Sequence, residues 1–186
     1  VGKASLARVF ARALNAPDTL EDCPRPSDHG AYPPLDVQQR MAEAIMRGDD
    51  MNVIEIDAAS NTGVDNVRDL IANASLSPTD NARLKIYIID EVHMLTTEAF
   101  NALLKTLEEP PDHVYFMFAT TEIHKVPITI LSRCQRYELK RVGVDALTGF
   151  FRSIAASAEV SISDAGLSMI VREADGSGRA GLSLVV

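Results

Sequence analysis

The chain has 186 residues, 46% of them hydrophobic and 24% charged, which excludes a disordered tail, a collagen-like fibre and a membrane span. Its 18 basic against 26 acidic side chains give a formal charge of −8, excluding a broadly basic nucleic-acid coat but not a local basic face. Two cysteines, Cys23 and Cys134, are too few for a disulfide scaffold and fit a reducing compartment. With no basic-then-apolar leader at the N-terminus, the expected location is the cytoplasm, away from any membrane.

Val1-Gly2-Lys3 opens without an initiator Met, and residues 181–186 stop within an apolar helical pattern, so both ends are expected to fall inside longer elements. Leu6, Val9, Phe10, Ala13 and Leu14 share one helix face, ended by Asn15-Ala16-Pro17. Residues 17–35, rich in Pro, Asp and Ser, read as a loop. Val37, Met41, Ala44 and Ile45 predict a short helix stopped by Gly48-Asp49-Asp50. Val53-Ile54-Glu55-Ile56 predicts a strand with Asp57 at its C-terminal end, and Asn61-Thr62-Gly63 forms a turn before a helix over 64–71.

Two runs carry the fold argument. Ile86-Tyr87-Ile88-Ile89 and Val114-Tyr115-Phe116-Met117-Phe118 are continuously apolar rather than alternating. Strands of that kind are covered on both faces, as in a parallel sheet flanked by helices. Between them, Phe100, Leu103, Leu104 and Leu107 mark an amphipathic helix ended by Pro110-Pro111, and strand, helix, strand in that order makes a right-handed crossover. The fold class is therefore α/β. A short strand is predicted over 137–139, and after it helices only: one over 147–156, one over 165–171 and one starting near Gly178. The domain boundary is placed at Val142-Gly143, giving a core over 1–142 and a helical domain over 143–186.

Several residues could carry chemistry. Gly2-Lys3 directly opening a helix is the pattern that ends a phosphate-binding loop, with the lysine reaching outer phosphates and helix N–H groups receiving the anion; a charged first turn reads the same way. The hydroxyl residue that usually follows the lysine is Ala4 here, with Ser5 one place late, and a methyl group cannot ligate Mg²⁺. Asp90-Glu91 ends a buried strand, where open α/β sheets bind ligands. Asp90 can hold hydrated Mg²⁺ and Glu91 can polarise an attacking water; the plainer reading, an acidic helix cap, competes with Thr96-Thr97-Glu98, which already caps the next helix.

Ala119-Thr120-Thr121-Glu122 ends the next strand, where a hydroxyl could meet a γ-phosphate or simply cap the strand. Arg133, in Ser132-Arg133-Cys134, could neutralise charge in a neighbouring subunit's site or lie solvated on the surface, and Arg179 has the same two readings. The basic residues Arg133, Arg136, Lys140 and Arg141 could meet phosphates or form a solvated edge. Cys23 and His29 supply two zinc ligands where a closed site needs four, and His93, His113 and His124 read as solvated loop residues. No Ser or Cys stands near a His–acid pair, so nucleophilic catalysis has no support.

Taken together, Val53-Ile54-Glu55-Ile56-Asp57-Ala58-Ala59-Ser60-Asn61, Ile88-Ile89-Asp90-Glu91-Val92-His93-Met94-Leu95 and the run from Phe100 to Pro111 closely resemble the gamma/tau subunit of the bacterial DNA polymerase III clamp loader. So do Ala119-Thr120-Thr121-Glu122 and Leu131-Ser132-Arg133-Cys134, and the likeness runs over nearly the whole chain. The resemblance implies an AAA+ P-loop ATPase core with a parallel sheet flanked by helices, followed by part of a small all-helical lid. It implies nucleotide binding by Gly2, Lys3, Ser5, Asp90, Thr120, Thr121 and Arg179, with ATP and Mg²⁺ as ligands and Asp90 holding the metal through water. Glu91 becomes the catalytic acid, Thr121 or Thr120 the first sensor, Arg133 an arginine finger acting in trans, and Arg179 the lid's sensor.

The implied work is ATP-driven loading of a sliding clamp onto primed DNA, within a hetero-oligomer of clamp-loader subunits that touches DNA through phosphate. That assembly belongs to a holoenzyme with DNA-directed DNA polymerase, hence nucleotidyltransferase, activity. Three positions depart from the family pattern: Ala4, Ala180 where an acid usually follows the lid arginine, and a zinc module reduced to Cys23, so that zinc is not expected. The alternative is a non-hydrolysing, delta-prime-like structural subunit that lends Arg133 to its neighbour.

Overall fold

The strand Lys85–Asp90 (β2) is buried along all but its last residue, because its two rows of side chains meet helices on opposite faces. The computed structural model describes residues 2–16, 34–79 and 82–183, whose contacts separate into two units, Gly2–Arg136 and residues 137–183. Cys23, His29 and most of the expected 17–35 loop lie outside the described residues.

The first unit runs α1 (Lys3–Asn15), α2 (Leu35–Arg47), β1 (Val53–Asp57), α3 (Val64–Ala74), β2, a 3₁₀ turn (Val92–Met94) and α4 (Thr97–Glu108). It continues through β3 (Val114–Phe118), a second 3₁₀ turn (Ile123–Lys125) and α5 (Ile128–Leu131). The three strands lie parallel in the order β1-β2-β3, with Asp57 beside Asp90 and Ile89 beside Phe118. Parallel neighbours send their chain ends to the same edge, so the segments after all three strands gather there.

On one face of the sheet Ile86 and Ile88 pack with Ala11 of α1 and Ile45 of α2. On the other, Tyr87 and Ile89 join Val67 and Leu70 of α3 and Phe100 and Leu103 of α4. Arg8 of α1 is ion-paired with Glu55 of β1 and donates to the Met46 carbonyl of α2 at 3.2 Å, tying the three elements together. The hydrogen bond from its guanidinium to Glu55 raises Arg8 further above its ordinary value.

The double coverage expected of both apolar strands holds for β2 alone. β3 is the edge of the described sheet: Phe116 stacks on Tyr87 on the α3–α4 face, while Tyr115 on the α1 face is 44% exposed. Helix α1 lies over β2 and leaves that end of the face open.

The second unit is helical: α6 (Val144–Ser157), α7 (Asp164–Ala174) and α8 (Gly178–Leu182). Leu147, Phe151, Leu167, Val171 and Ala174 form its core. Ser163 and Ser177 accept from the N–H groups of Gly166 and Ala180, capping α7 and α8. The strand expected over 137–139 does not form: these residues are irregular, Tyr137 is 71% exposed, and the described sheet consists of β1, β2 and β3. Three β-prone residues without a ladder partner cannot satisfy a strand's backbone.

Candidate active site

Because Gly2 adopts the left-handed conformation (φ 75°), the chain turns sharply into α1, and Lys3 is the first helical residue. The first bond of the helix is Leu6 N–H to the Gly2 carbonyl at 2.8 Å, so the N–H groups of the opening turn have no helical partner. Such a helix start favours an anion. Lys3 Nζ lies 3.9 Å from Glu91 Oε1, across the C-terminal edge of the sheet.

Beyond β2 the backbone is locked by its neighbours. The Ala58 N–H donates to the Asp90 carbonyl at 3.0 Å, and the Val92 N–H donates to the Ala119 carbonyl at 3.0 Å. Asp90 Oδ1 accepts the Glu91 N–H at 2.9 Å. Glu91 itself sits in the left-handed region (φ 45°), a strained place for a residue with a side chain. From there Glu91 Oε2 accepts the Thr121 hydroxyl at 3.0 Å and the Thr121 N–H at 3.3 Å. The two threonines therefore differ: Thr121 meets Glu91, whereas Thr120 Oγ1 lies 2.9 Å from His93 Nδ1 and accepts the Glu122 N–H at 3.0 Å.

His93 departs from the expectation of a solvated loop residue. Its side chain is 7% exposed, Nδ1 is 3.3 Å from Glu91 Oε2, and Nε2 is 3.1 Å from Glu122 Oε2. Glu122 also accepts from Lys125 Nζ at 2.7 Å, and that hydrogen bond, with the charges of Lys125, His93 and His124, lowers the carboxyl below its ordinary value. Sequence reasoning missed His93 and gave Glu122 no role. The available signal was the spacing of Glu91 and His93 on either side of buried Val92, which a tight turn folds back together. His113 is not a free loop residue either: Nε2 reaches the Ala74 and Leu76 carbonyls, each at 3.1 Å, at the end of α3.

Ser5 is exposed on α1. Arg133 is ion-paired with Glu108, the last residue of α4, and donates to the Thr129 carbonyl at 2.7 Å. The contacts of Arg133 are with Glu108, Thr129 and Ser132, and none of them is to Lys3, Asp90 or Glu91. Arg179 is exposed on α8 of the second unit. Of the basic cluster, Arg141 is ion-paired with Asp175 within that unit. Among the described residues no three His, Cys, Asp or Glu side chains come together to hold a metal, and no helix is long and apolar enough to cross a membrane. A cleft of about 430 Å³ lies over Ile54, Ile56 and Tyr87 beside α3 and includes none of the cluster.

Residues 1–143 match the family model described as DNA polymerase III, delta subunit. The chain is 44% identical to DNA polymerase III subunit tau of Bacillus subtilis (strain 168) over 184 residues, 99% of this chain and 31% of that protein. Subunit tau of Escherichia coli (strain K12) is 42% identical over 184 residues, again 99% of this chain and 27% of the relative. The chain thus spans about a third or less of these curated relatives. Among solved structures, the Thermotoga maritima RuvB Holliday junction branch migration motor matches with a TM-score of 0.60 at 19% identity, covering 98% of this chain and 58% of that one. That likeness shows the fold alone: a parallel sheet with flanking helices, followed by further helices.

Proposed function

The chain belongs to the DNA polymerase III delta-subunit family, and from that premise we propose that it is the nucleotide-binding part of a tau/gamma-type clamp-loader subunit that binds and hydrolyses ATP. The observation carrying this reading is the 3.9 Å approach of Lys3 Nζ to Glu91 Oε1, at the edge where all three strands end. A cation at a helix start and a carboxylate one residue past a strand can flank a triphosphate, the lysine toward its outer phosphates and the acid toward its far side.

In the proposed step a water oxygen bonds to the γ-phosphorus while its proton passes to the Glu91 carboxylate. The bond from phosphorus to the β,γ-bridging oxygen breaks, and its electron pair leaves with ADP. Thr121 holds Glu91 by two hydrogen bonds, and the Lys3 ammonium with the open N–H groups of α1 offsets charge on the phosphates. The residues fit a hydrated Mg²⁺, since one carboxylate plus phosphate oxygens suffices for that ion: Asp90 spends one oxygen on the Glu91 N–H and keeps the other. Bound there, Mg²⁺ would neutralise phosphate charge.

Arg133 is proposed to act in trans, because in its own chain it is held by Glu108 and Thr129. Arg179 is proposed as a nucleotide sensor of the helical unit. The same reading assigns the whole protein to a hetero-oligomer in the cytoplasm that places a sliding clamp on primed DNA, with contacts to DNA phosphate. In the full-length protein, Glu91→Gln should keep ATP binding and lower steady-state hydrolysis by about 100-fold or more. Hydrolysis at the native rate would remove Glu91 from its role.

One observation favours a second reading, a structural subunit that does not hydrolyse ATP: Ala4 follows Lys3 and puts a methyl group where a metal-binding hydroxyl is expected. Ala4→Thr separates the two, since a large gain in turnover supports an impaired motor and no gain supports the structural subunit.

A further inference from the structure

Three observations converge on His93. First, its position follows from backbone strain: Glu91 in the left-handed region starts the 3₁₀ turn Val92–Met94, which brings the His93 ring back toward the strand ends. Second, the ring is almost fully enclosed. Third, its two nitrogens join separate segments. Nδ1 faces Thr120 Oγ1 at 2.9 Å and Glu91 Oε2 at 3.3 Å, and Nε2 faces Glu122 Oε2 at 3.1 Å. The segment after β2 and the segment after β3 are thereby connected through one imidazole.

We propose that His93 is a positioning residue for hydrolysis, holding the Glu91 carboxylate and the Thr120–Glu122 segment in one fixed arrangement. It acts through Glu91 and meets neither the nucleotide nor the attacking water, and the inference rests on the reading of Glu91 as the catalytic acid. An enclosed ring held by Thr120 at Nδ1, with Glu122 beside Nε2, gives the Glu91 carboxylate a fixed neighbour in addition to Thr121. The lysine is 3.9 Å away, too far to orient the carboxylate by a hydrogen bond. Loss of His93 should leave nucleotide affinity alone and lower the fraction of bound complexes in which Glu91 is aligned.

The test uses the full-length protein and compares His93→Asn, His93→Gln, His93→Ala and Glu91→Gln in ATP hydrolysis and in equilibrium ATP binding. An asparagine amide takes the place of Nδ1 and can still meet Glu91 and Thr120, whereas a glutamine amide takes the place of Nε2 and meets Glu122 only. We expect His93→Asn to keep kcat within about 3-fold, and His93→Gln and His93→Ala to lose about 10-fold or more in kcat, with KM and ATP affinity unchanged. Equal kcat in the Gln and Asn variants, or a KM that rises in step with the loss, would overturn the proposal. Should Glu91→Gln abolish turnover while His93→Ala leaves kcat unchanged, only the His93 inference falls. Should Glu91→Gln hydrolyse normally, or the unmodified protein show no turnover, the reading of Glu91 falls and this inference with it.

Discussion

Asn15, the last residue of α1, is fully buried and holds both backbone polar groups of Leu84, donating from Nδ2 to the carbonyl at 2.9 Å and accepting the N–H on Oδ1 at 3.0 Å. Leu84 directly precedes β2. The far end of α1 is thereby pinned to the start of the strand whose other end carries Asp90 and Glu91. Asn15→Ala orphans a buried donor and a buried acceptor at once and should cost about 2–3 kcal/mol, read as a lower urea midpoint with an unchanged slope.

If Lys3 meets phosphate, its removal should act on binding first. Lys3→Ala in the full-length protein is expected to weaken ATP binding by about 10–100-fold, the equivalent of one charge-assisted hydrogen bond. Titration with a fluorescent ATP analogue measures this, and unchanged affinity would detach Lys3 from the nucleotide.

Cys134 gives a pH prediction. Partial burial pushes its thiol above the ordinary cysteine value, because the charged thiolate is the form that burial disfavours. In the folded protein the thiolate therefore accumulates at higher pH than in the unfolded chain, and stability falls once pH passes the ordinary thiol value. Alkylation of Cys134 by iodoacetamide near pH 8 should be slower in native protein than in urea, as mass spectrometry of its peptide would show.

In the second unit the sensitive contact is between Gly181 and Phe151. A Cβ added at Gly181 would lie 2.0 Å from Phe151 Cζ, and that ring is wholly buried. Gly181→Ala should destabilise the helical unit by about 1–3 kcal/mol despite alanine's better helix propensity. Thermal unfolding of Gly181→Ala beside Gly149→Ala, which has open space at its Cβ, separates overpacking from helix propensity.

The sequence made some of this legible for physical reasons. The unbroken apolar run at Ile86–Ile89 reads as a strand covered on both faces, and the Phe100, Leu103 spacing as a helix on that core. The acid pair was readable because strand ends in parallel sheets share an edge. The contacts of His93 were legible only as a spacing across Val92, because the left-handed backbone at Glu91 that closes the turn leaves no mark in composition or period. Tyr137 and Leu139 misled for the opposite reason: their strand propensity is real, but propensity needs a partner strand, and these residues pair with none of the described strands. Tyr115 erred in the same direction, its face left open at the edge of the sheet.

If Glu91 activates the attacking water as proposed, its backbone sets thermostability against turnover at a single position. Glycine tolerates φ 45° freely, and relief of that strain is worth about 1 kcal/mol, so a chain optimised for melting temperature alone would discard the side chain there. Heat-selected descendants of this protein should accumulate glycine at position 91, gaining a few degrees while their nucleotide chemistry goes silent.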